Sequence, residues 1–146
     1  MAKRILVPLD RSAASEAVLP FVADIARGAG STVRLVNVQP VPETVVAEYG
    51  RVVAYQDQEM ERLQATGEVY LQGAEALLDG VPTERVVRFG DPAHEILAEA
   101  DDWDADLVVM AEGRSRSWWP RGRGVSARVA RRGSIPTLRY RPGRTG

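Results

Sequence analysis

The sequence predicts an α/β fold built on one open, five-stranded parallel sheet that is doubly wound, with helices on both faces. Short apolar runs alternate with longer segments of helical spacing along the chain, which is the pattern of strands joined by crossover helices. Turn residues, chiefly glycine and proline, separate these segments. The 146 residues fit one domain with a buried core. Because crossovers are right-handed, few strand arrangements remain, and a crevice is expected where the first and fourth strands end.

The first half of the chain contains two predicted strands and two helical segments. Arg4–Leu9 is short, apolar and followed by a turn, which predicts a buried strand. Ser12 stands in the N-cap position of a helix over Ala13–Gly28, whose apolar residues recur at helical spacing. Thr32–Val38 is the second predicted strand. Glu43–Leu78 is mostly helical in composition, with weaker periodicity in its first part.

The second half continues the alternation and ends with the fifth strand. Asp91 is the predicted N-cap of a further helix, and Pro92 takes the first helical position. The elements predicted here are, in order, the strand Arg85–Phe89, the helix Ala93–Ala100, the strand Asp106–Ala111, the helix Val125–Arg132 and the strand Ile135–Tyr140. Residues 1–141 are therefore expected to form a single domain, and residues 142–146 a flexible tail.

The composition excludes several kinds of functional site. The chain has no cysteine, so disulfides and thiolate metal sites are excluded. His94 is the only histidine, which argues against a multi-histidine metal site and favours a surface or interface role for it. The N-terminus lacks the apolar core of a signal peptide, and no apolar run approaches the roughly 20 residues that span a bilayer. We expect a cytoplasmic protein without a membrane partner.

The formal net charge of −1 hides an asymmetry between the two parts of the chain. Residues 1–110 carry 9 Lys and Arg against 19 Asp and Glu, a balance of −10. Residues 111–146 carry 10 Arg against the single acid Glu112, a balance of +9. Two interpretations remain open: the basic end binds an anionic partner, or it meets the acidic face of another subunit.

Two charged clusters have both a functional and a structural interpretation. The acidic cluster could hold a metal ion but is more typical of a solvated helix end and loop. Its members are Glu99, Asp101, Asp102, Asp104 and Asp106. The basic cluster could form a protein or nucleic-acid interaction module, with Trp118 and Trp119 as stacking platforms, although the sequence pI near 5.9 argues against nucleic acid. Its members are Arg114, Arg116, Arg121, Arg123, Arg128, Arg131 and Arg132.

Four segments, in this order, resemble the universal stress protein family. They are ILVPLDRSAASEAVL, VRLVNVQP, FGDPAHEILAEA, and ADLVVM with a glycine-containing loop followed by VSARVARR and IPTLRYR. Together they cover nearly the whole chain. The resemblance implies a Rossmann-like fold of the adenine nucleotide alpha hydrolase-like type, with strand order 3-2-1-4-5. It also implies a homodimer and a role in stress survival or regulation rather than a defined metabolic reaction.

The loop after the fourth strand departs from the family's nucleotide-binding motif. Many members bind ATP through a loop of the form G-x2-G-x9-G-[S/T], whose glycines let the backbone approach phosphate. In register, the four positions are occupied by Ala111, Arg114, Gly124 and Val125. Only the third matches; Gly113 lies one residue early for the second glycine, and Ser126 one residue late for the hydroxyl. The departure predicts weak or lost ATP binding; alternatively, arginine side chains replace glycine amides as phosphate ligands.

The resemblance places the rest of a nucleotide pocket at the ends of three strands. Pro8, Leu9 and Asp10 end the first strand at the crevice. Asp10 would lie near the adenine and ribose, or near a divalent cation if the nucleotide brings Mg²⁺; otherwise it is a turn residue that caps the helix. Val38 would pack on the adenine and Met110 would line the same cavity, or both are plain core residues.

The motifs of two other nucleotide-binding classes are missing. A P-loop needs lysine after its last glycine, and this loop contains none. A dinucleotide fingerprint follows the first strand, where Leu9–Ser12 has no glycine. The resemblance implies a regulatory protein, and no residue is a convincing general base, so we expect a non-catalytic protein, at most a slow ATPase. The sequence identifies no definite cofactor, and ATP with Mg²⁺ is a possible ligand.

The fifth strand is the expected dimer interface. It is apolar enough that a bare edge would invite pairing with another chain. The resemblance implies that this strand pairs across a two-fold axis. The expected interface residues are Ile135, Thr137, Leu138 and Tyr140.

Overall fold

A computed structural model describes residues 3–42, 51–112 and 124–141, with the side chains of the second range from residue 57 onward. Its elements are β1 (Arg4–Pro8), α1 (Ala13–Glu16), α2 (Leu19–Ala29), β2 (Thr32–Gln39), α3 (Arg51–Glu75), β3 (Thr83–Phe89), α4 (Pro92–Trp103), β4 (Leu107–Ala111), α5 (Val125–Arg132) and β5 (Thr137–Tyr140). The strands form one parallel sheet of order β3-β2-β1-β4-β5. The predicted fold class and strand order are confirmed. In these ranges no helix combines the length and apolar character needed to cross a membrane.

Several predicted boundaries differ from the observed ones by a few residues, and proline explains two of these differences. The helix predicted over 13–28 is interrupted after Glu16, and α2 starts at Leu19 with Pro20 in its first turn. Pro20 has no N–H to donate to the carbonyl of Glu16, so one continuous helix cannot pass this point undisturbed. The strand predicted from Ile135 begins only at Thr137, since Pro136 likewise lacks an N–H for the sheet.

The helices cover the two faces of the sheet with separate apolar clusters. We call these the α2–α3 face and the α4–α5 face, after the helices that pack on them. Successive residues of β2 alternate between them: Leu35 is buried under α2 and α3, and Val36 under α4 and α5. The residues that form the two clusters are almost all fully buried.

One acidic side chain is buried where the sequence suggested a solvated helix end. Glu99 of α4 is only 4% exposed. Its Oε2 lies 2.6 Å from a guanidinium nitrogen of Arg34, and its Oε1 lies 2.9 Å from one of Arg88. The Arg34 guanidinium also stacks 4.6 Å from the ring centroid of Trp103. The solvated interpretation was therefore wrong for Glu99, because two arginines of neighbouring strands neutralise it. The remaining four members of that cluster are exposed.

Helix α3 packs closely against the sheet at Gly67. A Cβ atom there would lie 2.9 Å from Cγ2 of Val87 and 3.1 Å from Oδ1 of Asn37. Beneath this contact, the Asn37 side chain donates to the carbonyl of Leu9 at 2.8 Å, and the Gln39 amide donates to Asn37 Oδ1 at 2.9 Å. The two buried amides thus satisfy each other and the end of β1. Glycine is required here by space, not by backbone angle.

Candidate functional site

The described candidate residues gather at one edge of the sheet. All strands are parallel, so their carboxyl ends share that edge. β1 ends at Pro8 and β4 ends at Ala111, while α5 starts beside them after Gly124. In open parallel sheets this edge is where ligands are held. The topology therefore brings together residues that lie far apart in the chain.

Asp10 closes a tight turn between β1 and α1. Its Oδ1 accepts hydrogen bonds from the backbone N–H of Ser12 at 2.9 Å and from the Ser12 hydroxyl at 2.5 Å. Its own N–H donates to Ser15 Oγ at 3.2 Å. Arg11, between them, adopts a left-handed backbone with φ of 69°. These contacts fit the helix-capping interpretation of Asp10, and they hold its carboxylate in a fixed position. The residue as a whole is only 2% exposed.

The apolar candidates divide between the two faces of the sheet. Val38, Met110 and Val125 belong to the buried cluster of the α4–α5 face. Leu9 belongs to the α2–α3 face, and Ala111 packs against that same cluster. The methyl group at the first glycine position of the motif therefore lies on the opposite side of the sheet from α5. It does not obstruct the side from which α5 faces the crevice.

The start of α5 preserves the backbone geometry expected of a glycine loop. Gly124 has φ of 90°, and a Cβ added there would meet nothing within 4 Å. The positive φ, and not crowding, is what favours glycine here. Gly124 is the N-cap and provides no side chain to bond the first N–H groups of the helix. Such a helix start attracts anions. Val125 and Ser126 follow it and are both buried.

A charged cluster beside α5 was missed by the sequence analysis. We call it the edge cluster: Glu112, Arg139 and Arg141. Arg139 Nε lies 3.4 Å from Ser126 Oγ, to which it donates, and 3.8 Å from Glu112 Oε2. Arg141 donates a hydrogen bond to Glu112 Oε1. That bond lowers the pKa of the Glu112 carboxyl, against the opposing effect of burial. The missing signal was the pairing of Arg139 with Met110 in the β4–β5 register.

A second ion pair ties the starts of α4 and α5 together. Asp91, the predicted N-cap of α4, accepts from the backbone N–H of His94 at 3.0 Å. The same carboxylate oxygen lies 2.8 Å from a guanidinium nitrogen of Arg128. His94 therefore contributes its backbone to this edge. Within the described residues, no group of three or more His, Asp or Glu side chains is arranged to hold a metal ion.

The predicted interface residues lie on the outermost strand β5 and its entry. Leu138 and Tyr140 pack against the α2–α3 cluster, where the Tyr140 ring lies 5.3 Å from that of Phe21. Ile135 and Thr137 instead border a groove of about 390 Å³ between α4 and the α5–β5 connection. The side chains at this edge are thus partly used inside the fold, and the outer backbone edge of β5 has no strand beside it in the described sheet.

Several candidates fall outside the described residues. These are Gly113, Arg114, Arg116, Trp118, Trp119, Arg121 and Arg123. The motif's second glycine position and the proposed stacking platforms are among them. Their roles stay predictions from the sequence.

Comparison with known proteins found one family and several solved structures. A model of the universal stress protein family matches residues 1–141. Hypothetical protein MJ0577 is 20% identical with a TM-score of 0.78, and the match covers 98% of each chain. Universal stress protein UspA from Lactobacillus plantarum is 19% identical with a TM-score of 0.70, covering 95% of this chain and 97% of that one. A universal stress protein family member from Arabidopsis thaliana, solved with AMP bound, is 17% identical with a TM-score of 0.63, covering 97% and 93%. No curated protein matches the chain.

Proposed function

The chain belongs to the universal stress protein family, and from that membership we propose that it is a small, non-catalytic regulatory protein that binds an adenine nucleotide weakly at the carboxyl edge of its sheet. The observation that carries the proposal is the start of α5, where left-handed Gly124 opens a helix beside the ends of β1 and β4. The AMP held by the Arabidopsis thaliana relative supports the ligand class. The role is that of a stress-response binding protein, not an enzyme.

The adenosine end of the ligand would rest on the retained part of the site. Val38 and Met110 would form the apolar floor under the adenine, with Pro8 at its side. Asp10 would accept hydrogen bonds from the ribose, since its position is fixed by Ser12. If Mg²⁺ enters with the nucleotide, Asp10 is the candidate carboxylate for it. This part of the pocket does not depend on the altered glycine positions.

The phosphate end has lost most of its usual donors, and we therefore propose weak ATP binding. Val125 brings no hydroxyl to the helix start. The hydroxyl of Ser126, one residue later, already accepts from Arg139 at 3.4 Å. Of the motif positions that the structure describes, Ala111, Gly124 and Val125, Gly124 alone has a positive φ. A triphosphate would then be held chiefly by helix N–H groups and by arginines, and no described side chain at this edge is placed as a general base.

Restoring the glycine motif is expected to strengthen ATP binding. The double variant Arg114→Gly and Val125→Ser should bind ATP about tenfold more tightly than the parent. Serine at position 125 adds a hydroxyl donor and glycine at position 114 lets the backbone approach the phosphate, and each recovered hydrogen bond contributes about 1 kcal/mol. Isothermal titration measures this, with adenosine as the reference ligand whose affinity should not change. Ala130→Gly, an exposed alanine to glycine change farther along α5, is the matched control. Stoichiometric ATP released from the denatured parent protein would contradict weak binding.

We also infer that two copies associate through β5. The strand is at the end of the sheet, and an uncovered edge of this kind is a template for pairing. Light scattering at micromolar concentration should give twice the mass of the chain. A single-chain mass that persists as the concentration is raised would refute the interface.

A further inference from the structure

The edge cluster lies on the same side of the sheet as the proposed phosphate position. Arg139 is the register partner of Met110, and Met110 belongs to the α4–α5 face. Paired residues of parallel strands point to the same face, so Arg139 faces α5. Its 3.4 Å contact with Ser126 Oγ puts the guanidinium at the first turn of that helix. Two positive features, a helix start and a guanidinium, therefore meet at one point.

The anion at this point is a side chain of the protein itself. Glu112 Oε2 lies 3.8 Å from Arg139 Nε, and Oε1 accepts from Arg141. Guanidinium groups beside a helix start would suit a phosphate equally well. Carboxylate and phosphate both present negatively charged oxygens that accept hydrogen bonds from these donors. Because the Arg141 hydrogen bond lowers its pKa, Glu112 stays ionised through the neutral range. The carboxylate thus competes at every physiological pH.

We propose that Glu112 is a built-in competitor for phosphate: its carboxylate occupies the anion position between Arg139 and Arg141, beside the first turn of α5 that Arg139 contacts, and a nucleotide's phosphate binds there by displacing it. The inference rests on the proposed function, because it assigns the regulation of the same site. Arg141 is 79% exposed and Glu112 25% exposed at the side chain. Ion pairs this exposed are weak, so displacement is feasible and the competition is modest.

The test uses tripolyphosphate, a probe that carries phosphate without adenosine. Glu112→Gln should bind it about fivefold more tightly than the parent in low-salt titrations, the size expected for removing a weak exposed ion pair. Glu112→Gln combined with Arg139→Gln should lose that gain. Glu84→Gln removes the carboxylate of another arginine pair, near the amino end of β3, and should leave the affinity unchanged. Equal affinity of the parent and Glu112→Gln would overturn the proposal, as would an equal gain in Glu84→Gln.

Two further measurements keep the result interpretable. Glu112→Asp keeps the negative charge on a shorter side chain, so its affinity for tripolyphosphate should rise less than that of Glu112→Gln. It replaces Glu112→Gln if that variant does not fold normally. If neither variant binds tripolyphosphate more tightly than the parent, the proposal is overturned. Adenosine binding is measured in the same proteins. If Glu112→Gln binds tripolyphosphate more tightly but none of the proteins binds adenosine, nucleotide binding is refuted and the competing role of Glu112 stands. If the proteins bind adenosine but Glu112→Gln binds tripolyphosphate no more tightly, the competing role is refuted and nucleotide binding stands.

Discussion

Replacing Glu99 with alanine is expected to lower the free energy of unfolding by about 3 kcal/mol. Glu99 is buried and bonded to Arg34 and Arg88. Without it, two like charges from neighbouring strands would face each other with no carboxylate between them. This loss of stability is at the lower end of the range for removing one partner of a buried ion pair. The side chains of Arg34 and Arg88 are 22% and 24% exposed, so water can solvate their charges in part.

Glu84→Ala is the matched control for Glu99→Ala. Glu84 also binds Arg34, at 2.6 Å, but its side chain is 49% exposed. Its loss should cost less than about 1 kcal/mol, as for other surface ion pairs. Urea denaturation at neutral pH compares the two variants. If they lose equal stability, burial does not set the strength of this network and the interpretation fails.

Two glycine-to-alanine changes in α3 are expected to have opposite signs. Gly67→Ala should lower the free energy of unfolding by about 1–3 kcal/mol, because its methyl group would overpack against Val87. Val87 Cγ2 and Asn37 Oδ1 lie 2.9 and 3.1 Å from the position of that methyl. The helix would have to move away from the sheet and loosen the buried amides beneath it.

Gly73→Ala provides the comparison in the same helix. Gly73 is exposed, and its added Cβ would meet nothing within 4 Å. The substitution should raise the free energy of unfolding by about 0.5–1 kcal/mol, because alanine loses less conformational freedom in a helix. The two urea midpoints should therefore move in opposite directions. Stabilisation by both changes would show that α3 does not depend on its close approach at Gly67.

The fold could be predicted because its local signals agree with one another. Ser12 caps α1 and Asp91 caps α4 as the sequence indicated. The break at Pro20 was overlooked because the apolar spacing continues across it. Helical periodicity follows the buried face and carries no information on a single missing N–H.

The site was less predictable because it depends on neighbours across the sheet. Glu99 stands among exposed acids, and only Arg34 and Arg88, on two other elements, make its burial possible. Arg139 lies beside α5 because it pairs with Met110 in the β4–β5 register, and that register places it in the proposed site. Local sequence patterns do not contain register, so a residue of this kind is found only when strands are aligned.

The strand order has a consequence for how far assembly can proceed. The sheet has two ends, β3 and β5. β3 carries Glu84, Arg85 and Arg88, all held in ion pairs with the elements around them, and charged strands resist edge-to-edge pairing. If two copies pair through β5 as proposed, the two β5 edges are covered and a charged β3 strand lies at each end of the joined sheet. Growth would then stop at a pair, and the sheet would not lengthen into a fibre.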